Sequence, residues 1–251
     1  MAINVNTVYQ TVLTILNKEQ RGYMTPDEFN NVATQVQLEI FEKYFEDLNQ
    51  QIRVPQTDMN YADRVENIDE KIAVFKTFGN AVYNSSAVTT DKYFTLPNTD
   101  GYGKSVTLYR IGEVTYKNEV LVQRLQRNDF YTSEKSKLTK ATKTFPTYLF
   151  ENNYLFVRPT TIQSDIQVEY VRKPVDVVWG FTVGSLGQYV YNSAEFNGAT
   201  NTGSQNFELD ISEQSEVILR ILMYSGIIIK DPQIVQAAAQ QVQMDEINKK
   251  S

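Results

Sequence analysis

Two apolar stripes with helical spacing open the chain. The members of the first stripe lie mostly three or four residues apart: Val5, Val8, Tyr9, Val12, Ile15 and Leu16. The second stripe follows the same rule over a longer stretch: Phe29, Val32, Ala33, Val36, Ile40, Phe41, Tyr44, Phe45 and Leu48. This spacing puts each set on one face of an α-helix. The stripes predict two antiparallel helices, with Phe29, Ile40 and Phe41 in the core.

The segment Thr25-Pro26-Asp27-Glu28 has the residues of a helix start. Thr25 is suited to cap the helix, and Pro26 stands where no amide hydrogen is needed. Glu28 is placed to reach back to the cap and complete a capping box. The second helix is therefore predicted to begin at Pro26, and its apolar stripe carries it to about Gln50.

After a weaker helical pattern at 61–72, the chain changes to short segments typical of β-strands. They are rich in β-branched and aromatic residues and are separated by Gly, Asn, Asp and Pro. Strands are predicted at 93–96, 106–111, 113–116, 119–122, 148–150, 154–157 and 166–171. Asn152-Asn153 and Lys117-Asn118 suit tight hairpin turns. The Asn-, Gly- and Ser-rich stretch 192–206 is predicted to be a long exposed loop.

Helical spacing returns near the C-terminus. Asp210 and Ser212 are alternative caps for a helix that buries Ile221 and Leu222, and Asp231-Pro232 starts a further helix. The predicted fold class is α+β, a helical bundle built from both chain ends with an inserted antiparallel β-rich module. The predicted domains are an N-terminal helical part at 1–78, the β-rich insertion at 79–207 and the C-terminal helices at 208–251.

The composition excludes several kinds of chemistry. The 251 residues include no Cys and no His, which excludes disulfides, thiolate nucleophiles, nearly all triad hydrolases and most transition-metal enzymes. The net charge of −6 and the pI near 4.9 argue against a protein whose main role is to hold nucleic acid. No signal peptide or membrane-spanning segment is recognisable, so a soluble protein is expected.

Paired carboxylates are the remaining catalytic option, because glycoside hydrolysis needs no histidine. The candidates near the predicted hairpin strands are Glu151, Asp165 and Glu169. Glu169 alternates with apolar residues, which is typical of the solvated face of a strand. The Gly-rich stretch 101–104 lacks half of a phosphate-binding loop and is expected to be a turn. The acidic stretch 58–70 is expected to be a solvated helix. We therefore expect no catalytic residue, cofactor or metal.

One segment, 124–143, is basic in an otherwise acidic chain, and we call it the basic segment. Six basic residues are the predicted partner contacts: Arg124, Arg127, Lys135, Lys137, Lys140 and Lys143. Against them stand Asp129 and Glu134, so six minus two gives a local net charge of +4. Its Ser and Thr content predicts a mobile loop that contacts an acidic surface or a polyanion. The alternative is a solvated loop with no specific role.

Several strings of this chain carry a resemblance to a known group of proteins. They are 8–13, 17–30, 37–42, 145–148, 157–159, 168–174, 207–210, 221–222 and 226–232. These strings resemble small virion structural proteins of tailed bacteriophages, including crAss-like phages. The layout of terminal helices around a β-rich insertion is similar to that of the head-to-tail connector proteins, or adaptors, of short-tailed phages.

This resemblance implies a non-enzymatic ring protein of the phage neck. Such proteins assemble in twelve copies, dock below the portal and leave a channel through which DNA passes without sequence-specific binding. The implied partners are copies of the chain, the portal and neighbouring connector or tail proteins. The implied location is the virion neck or tail, after synthesis in the cytoplasm of the host bacterium. In that setting, 192–206 or the basic segment is expected to meet the portal.

Two alternatives stay open from the sequence. One is another tail or baseplate component of the virion, which stoichiometry would distinguish from a connector. The other is a glycan-binding module, because 16 Tyr, 13 Phe and one Trp suit sugar stacking as well as packing inside a β-rich module. The glycan-binding alternative predicts exposed aromatic side chains, whereas the connector predicts buried ones.

Overall fold

The computed structural model describes residues 2–18, 24–53, 60–85, 92–196, 203–229, 236 and 238–244. The fold class is α+β, as predicted. The chain forms two compact units. Residues 1–74 and 174–251 form a helical unit from both chain ends, and residues 75–173 form a β unit.

The elements follow one another in this order. The chain starts with β1 (Ala2–Ile3), α1 (Val5–Lys18), α2 (Pro26–Arg53) and α3 (Asn60–Ala73). The β unit contains β2 (Lys76–Asn80), β3 (Val82–Asn84), β4 (Tyr93–Thr95), β5 (Leu108–Tyr116), β6 (Val120–Leu121), β7 (Gln123–Arg124), α4 (Arg127–Ser133), β8 (Thr147–Glu151), β9 (Tyr154–Arg158) and β10 (Ile166–Arg172). The chain then returns through β11 (Phe181–Val183), β12 (Tyr189–Tyr191), β13 (Phe207–Asp210), a 3-10 turn (Ile211–Glu213) and α5 (Gln214–Ile229).

The two N-terminal stripes form α1 and α2 as predicted, and their apolar faces are buried. All five residues predicted for the core of the helices have buried side chains: Phe29, Ile40, Phe41, Ile221 and Leu222. Ile15 is the exception in the first stripe, because it is exposed. Residues 238–244 are also helical, whereas Asp231-Pro232 lies outside the described residues. Among the described residues, no helix is long and apolar enough to cross a membrane.

The capping box that begins α2 is formed as predicted. The Thr25 amide and hydroxyl both donate to Glu28 Oε2, at 2.9 and 2.8 Å. The Glu28 amide donates in return to Thr25 Oγ1 at 3.3 Å. The backbone and hydroxyl hydrogen bonds from Thr25 hold the pKa of the Glu28 carboxyl below its ordinary value.

Glu28→Ala is expected to lower the free energy of unfolding by about 1 kcal/mol at neutral pH, because the variant loses the acceptor of the capping box. A carboxyl whose pKa is lowered by folding stabilises the fold above its ordinary pKa, and this contribution disappears as the pH falls through the folded pKa. The difference in the free energy of unfolding between the variant and the parent should therefore become smaller at acidic pH. Urea unfolding at neutral pH and in acid measures it, and a pH-independent difference would contradict the assignment.

The β unit consists of two sheets packed around one apolar core. One sheet has the order β2-β10-β5-β6 and the other has the order β3-β4-β9-β8-β7. The buried residues between them come from both sheets: Phe94, Val114, Val122, Tyr148, Leu155, Val157, Ile162, Ile166, Val168 and Tyr170. At Ala81 and again at Val122 the chain passes from an edge of one sheet into an edge of the other. These crossings shield the strand edges at both ends of the sheets.

Both predicted hairpin turns are present. Lys117 and Asn118 have φ of 53° and 58°, and Asn152 and Asn153 have φ of 51° and 61°. Two successive residues with positive φ fit the right-handed twist of the strands that they connect. The strands predicted at 106–111 and 113–116 are a single strand, β5. Gly112 lies inside this strand. Glycine suits the position because a Cβ there would be only 3.2 Å from the Glu169 carbonyl oxygen of β10.

The predicted antiparallel character of the insertion holds for every strand pair but one among the described residues of the β unit. Strand β7 pairs with β8 in parallel. Parallel strands require a crossover connection, and residues 125–146 supply it, with α4 as its helix. The basic segment therefore provides most of the crossover.

The domain boundaries differ from the predicted ones. Residues 75–78, predicted to belong to the N-terminal helical part, belong to the β unit because β2 pairs with β10. Residues 174–207, predicted as part of the β-rich insertion, belong to the helical unit. Side chains of α2 bind this stretch directly. The second boundary is therefore at 173/174 and not at 207/208.

Candidate functional site

Three polar side chains of α2 bind an extended segment at 175–179. Gln37 donates to the Val175 carbonyl at 2.7 Å. Thr34 Oγ1 accepts from the Val177 amide at 3.1 Å, and Asn30 Oδ1 accepts from the Trp179 amide at 2.7 Å. Residues 30, 34 and 37 span about 10 Å of helix, and residues 175–179 span about 13 Å of extended chain. The two spacings match well enough for one helix face to pair with alternate residues of the segment.

Trp179 ends this segment and anchors the β11–β12 hairpin, which we define as residues 181–191. Its ring centroid lies 4.3 Å from that of Tyr9 and stacks at 6.0 Å on Phe181 and at 5.5 Å on Tyr191. Its Nε1 donates to Asn6 Oδ1 at 3.0 Å. Only 4% of Trp179 is exposed. The base of the hairpin is therefore packed on α1.

The far end of the β11–β12 hairpin is apolar and exposed to solvent. Leu186 at the tip is 91% exposed, and three other large side chains are also exposed: Val183, Tyr189 and Val190. The tip is ordered, because the Gly184 amide donates to the Gln188 carbonyl at 2.9 Å and the Leu186 amide donates to Gln188 Oε1 at 3.1 Å. The two strands form a sheet of their own. A projecting group of apolar side chains on an ordered turn is typical of a protein contact site.

The basic segment is folded, which corrects the prediction of a mobile loop. Phe130 of α4 is fully buried. The Arg158 guanidinium lies over the Phe130 ring, with its Cζ 5.3 Å from the ring centroid. Ala141 is also buried. Two apolar anchors and the parallel pairing of β7 hold the segment against β8. The Ser and Thr content of the segment predicted a mobile loop. The prediction was wrong because the sequence alone does not show that Phe130 and Ala141 are buried.

The six predicted contact residues are all exposed, but they are used differently. Arg127 forms an ion pair with Glu151 at 3.2 Å, and the Arg124 guanidinium lies 5.9 Å from the Phe150 ring centroid. The other four are lysines of the turn region after α4: Lys135, Lys137, Lys140 and Lys143. Leu138, which is 97% exposed, lies between these lysines in the sequence, and Phe145, which is 77% exposed, follows two residues after Lys143. The segment and the residues just after it thus present exposed apolar side chains next to positive charges.

The predicted loop at 192–206 is only partly described, since 197–202 lies outside the described residues. Its two ends pair with each other and with the extended segment. Glu195 bridges to Ser204, and Gln205 bridges to Val178. Ser204 Oγ also accepts from the Gly180 amide at 2.9 Å. The described parts of this stretch are therefore held against the base of the hairpin.

A network of charged side chains, of which Glu216 is buried and the others are half-buried, joins α2 to α5. Glu216 is buried and accepts from Lys43 Nζ at 3.1 Å and from Arg220 Nη2 at 2.9 Å. Arg220 also pairs with Glu39 at 3.5 Å, and the Tyr224 hydroxyl donates to the same carboxylate. Glu39 therefore raises the pKa of Tyr224. The network fixes α5 on α2 by charge-assisted hydrogen bonds.

Tyr44→Phe is expected to raise the free energy of unfolding by about 1 kcal/mol, because the buried Tyr44 hydroxyl finds no hydrogen-bond partner among the described residues. Burial, followed by the charges of Glu213, Glu216 and Asp210, raises the pKa of Tyr44. Above a pH of about 10, the Tyr44 hydroxyl ionises in the unfolded chain but stays neutral in the folded one. Tyr44 therefore destabilises the fold increasingly as the pH rises above that value.

The phenylalanine variant should therefore resist alkaline unfolding better than the parent. Urea unfolding at neutral pH and at a pH of about 11 measures both effects. Tyr9→Phe is the matched control, because the Tyr9 hydroxyl donates to the Met24 carbonyl at 3.4 Å and its removal should destabilise. Equal behaviour of the two variants would contradict the assignment.

The outer surface of α2 carries an acidic ridge, defined as Glu39, Glu42, Glu46 and Asp47. Glu42 and Glu46 are exposed and lie four residues apart, hence next to each other on the helix. The ridge borders a shallow groove that also contains Lys43 and Arg220. Like charges at this spacing repel by a few tenths of a kcal/mol. An approaching cationic surface would relieve this repulsion.

The residues considered for catalysis do not form a described site. Glu151 pairs with Arg127, and Asp165 has a φ of 60° and accepts from Ser164 Oγ at 2.8 Å. Glu169 points to solvent between buried Val168 and Tyr170, as predicted. The stretch 101–104 is a turn, also as predicted, with Gly103 at a φ of 86°.

The acidic stretch 58–70 is described in part. Asp58 lies outside the described residues, and the exposed side chains Glu66, Asp69 and Glu70 lie on α3. These three fit the predicted solvated helix. Within the described ranges, no group of three His, Cys, Asp or Glu residues is arranged to hold a metal ion.

Sequence reasoning found the basic segment but missed the β11–β12 hairpin. The missed signal was the alternation of β-branched and aromatic residues on both sides of Gly184-Ser185-Leu186-Gly187. The candidate contact surfaces are thus three separate ones: the apolar hairpin and the acidic ridge on the helical unit, and the basic segment on the β unit. A scan against protein-family models finds no match for this chain, and a search of curated proteins finds no significant match either.

Proposed function

We propose that this chain is a non-enzymatic structural subunit of a ring in the neck of a tailed phage. In this role, twelve copies dock below the portal and surround a channel for the genome on its way to the tail. The sequence strings that resemble phage virion proteins support the proposal. The net charge of −6 also suits a channel, because a mostly acidic wall repels the phosphates of passing DNA.

The observation that carries the proposal is the β11–β12 hairpin. A two-stranded hairpin is marginally stable by itself in water, yet this one projects apolar side chains from a buried aromatic base. Such an element is useful to a protein whose surface is covered by neighbouring subunits. In a ring, each subunit uses one surface to bind a different surface of the next copy, and repetition around an axis closes the assembly.

Native mass spectrometry of the chain, alone and with the portal of the same virus, tests the proposal. We expect a closed oligomer or a portal complex of matching stoichiometry. The hairpin variant Val183→Ser with Leu186→Ser should weaken that assembly at least tenfold. Val82→Ser is the matched control, because Val82 is 64% exposed and Val183 is 63% exposed, and it should assemble like the parent.

A monomer that ignores the portal would overturn the ring proposal. A complex of a few copies with a tail protein would identify a tail or baseplate component instead. Specific binding in a glycan screen would identify a sugar-binding module. Tyr102 and Phe145 are exposed and available for stacking on a sugar, whereas the single tryptophan, Trp179, is buried.

A further inference from the structure

We propose that the basic segment of one copy docks on the acidic ridge of α2 in the next copy of the chain. This inference rests on the proposed ring function and specifies one of its contacts. It assigns the positive surface to residues 124–143 and the negative surface to Glu39, Glu42, Glu46 and Asp47. The two surfaces belong to different copies, so the contact is head-to-tail.

The basic segment has the composition of a docking surface. Four exposed lysines lie within five residues of Leu138 in the sequence. Leu138 is 97% exposed and Phe145, just after the segment, is 77% exposed, although the buried Phe130 anchors the segment. A mobile solvating loop would not need such an anchor. Apolar side chains inside a charged border are the usual arrangement of a protein interface, where the apolar centre supplies most of the affinity and the border sets the orientation.

The acidic ridge has the complementary composition. Glu42 and Glu46 are exposed neighbours on α2, and the structure gives neither of them an ion pair within the described residues. Leu38 and Phe45 are half-buried and stand four residues before and three residues after Glu42, hence on the same side of the helix. The ridge therefore offers lysines a negative surface and offers Leu138 adjacent apolar side chains.

Charge arithmetic favours a second copy as the occupant. The whole chain has a net charge of −6 and the basic segment has +4, so the remaining residues have −6 minus 4, or −10. Another copy thus presents a strongly acidic surface to an isolated basic one, which favours a head-to-tail approach over a symmetric one. DNA would satisfy the lysines equally well, but it would leave Leu138 and Phe145 exposed to water.

Cysteine cross-linking tests the contact directly, because the chain contains no cysteine and each introduced thiol is unique. Lys140→Cys and Glu46→Cys are prepared separately, mixed under conditions in which oligomers form, and oxidised. We expect a disulfide-linked dimer that contains one copy of each variant. Lys140→Cys mixed with Glu169→Cys is the control, since Glu169 is exposed on β10 of the β unit, and it should not cross-link.

Charge reversal gives an independent test. Lys137→Glu with Lys140→Glu should weaken oligomerisation at least tenfold, and so should Glu42→Lys with Glu46→Lys. An equimolar mixture of these two variants should recover heteromeric contacts, because opposite charges meet again. Glu113→Lys with Glu119→Lys is the control for Glu42→Lys with Glu46→Lys. It makes the same change in net charge on exposed residues of the β unit and should assemble like the parent.

The outcomes separate this contact from the ring function. Closed oligomers that neither cross-link nor respond to charge reversal would overturn the contact and leave the ring proposal intact. Absence of any oligomer, with or without the portal, would overturn both. If the lysine variants lose salt-dependent binding to duplex DNA while their oligomers are unchanged, the basic segment is a phosphate-binding surface and the proposed contact is wrong.

Discussion

Trp179→Ala is expected to lower the free energy of unfolding of the helical unit by about 3 to 5 kcal/mol, the usual cost of truncating a buried tryptophan. The indole is almost fully buried, contacts the ring of Tyr9 and stacks on the rings of Phe181 and Tyr191. Alanine leaves a cavity and removes the bond to Asn6. Urea unfolding followed by far-UV circular dichroism measures the loss, because the variant no longer contains the only tryptophan.

Trp179→Phe is the matched control for this prediction. Phenylalanine keeps most of the buried ring and loses the Nε1 hydrogen bond, so it should cost only about 1 to 2 kcal/mol. Chymotrypsin provides a second measurement, because loss of the stack should release the β11–β12 hairpin and speed cleavage at Tyr189. An alanine variant as stable as the phenylalanine variant, with unchanged cleavage, would show that the hairpin is held by other contacts.

Local signals in the sequence were sufficient to predict much of the fold. The stripes of α1 and α2 and the capping box at Thr25 depend only on residues that are close in sequence. The same is true of the turns at Lys117-Asn118 and Asn152-Asn153, since two residues with positive φ favour Asn at such positions. These elements form as predicted because no distant partner opposes their local preference.

The extended segment at 175–179 was not predicted, because its partners lie far away in sequence. Apart from a bridge between Val178 and Gln205, it is paired by side chains of α2. These are Asn30, Thr34 and Gln37, which lie 149, 143 and 138 residues away from the residues they bind. Because this pairing assigns residues 174–207 to the helical unit, the predicted boundary at 207/208 was misplaced. Polar residues on the buried side of α2 were the available signal, and Gln37 is indeed buried.

The candidate site was predicted in part. Charge counting located the basic segment, because net charge can be read without any knowledge of the fold. That the basic segment is folded could not be predicted from charge, since its folding depends on the burial of Phe130 and on the parallel pairing of β7 with β8. The acidic ridge was also hidden, because exposed and internally bonded carboxylates look alike in the sequence. Glu216 and Glu42 show this, since Glu216 is buried and Glu42 is exposed.

Glu216 is a buried carboxylate that two cations share, so its loss is expected to be costly. Glu216→Ala should lower the free energy of unfolding by about 3 kcal/mol, because removal of one member of a buried ion pair leaves the opposite charge poorly solvated. Lys43 and Arg220 both lose the carboxylate oxygen that they share. Arg220 keeps Glu39, which holds the loss at the lower end of the usual range. Thermal and urea unfolding measure it.

Two further variants test whether the lower stability of Glu216→Ala comes from the loss of a charge partner. Glu42→Ala removes an exposed carboxylate from the same helix surface and should change stability by no more than about 0.5 kcal/mol. Adding Lys43→Met to Glu216→Ala should recover part of the stability, because an apolar side chain of similar length replaces an ammonium that has lost the Glu216 carboxylate. If the double variant is no more stable than Glu216→Ala, the loss reflects packing of the Glu216 side chain and not its charge. A recovery would show that the cost of Glu216→Ala comes from the charge of Lys43, which has lost the carboxylate that offset it.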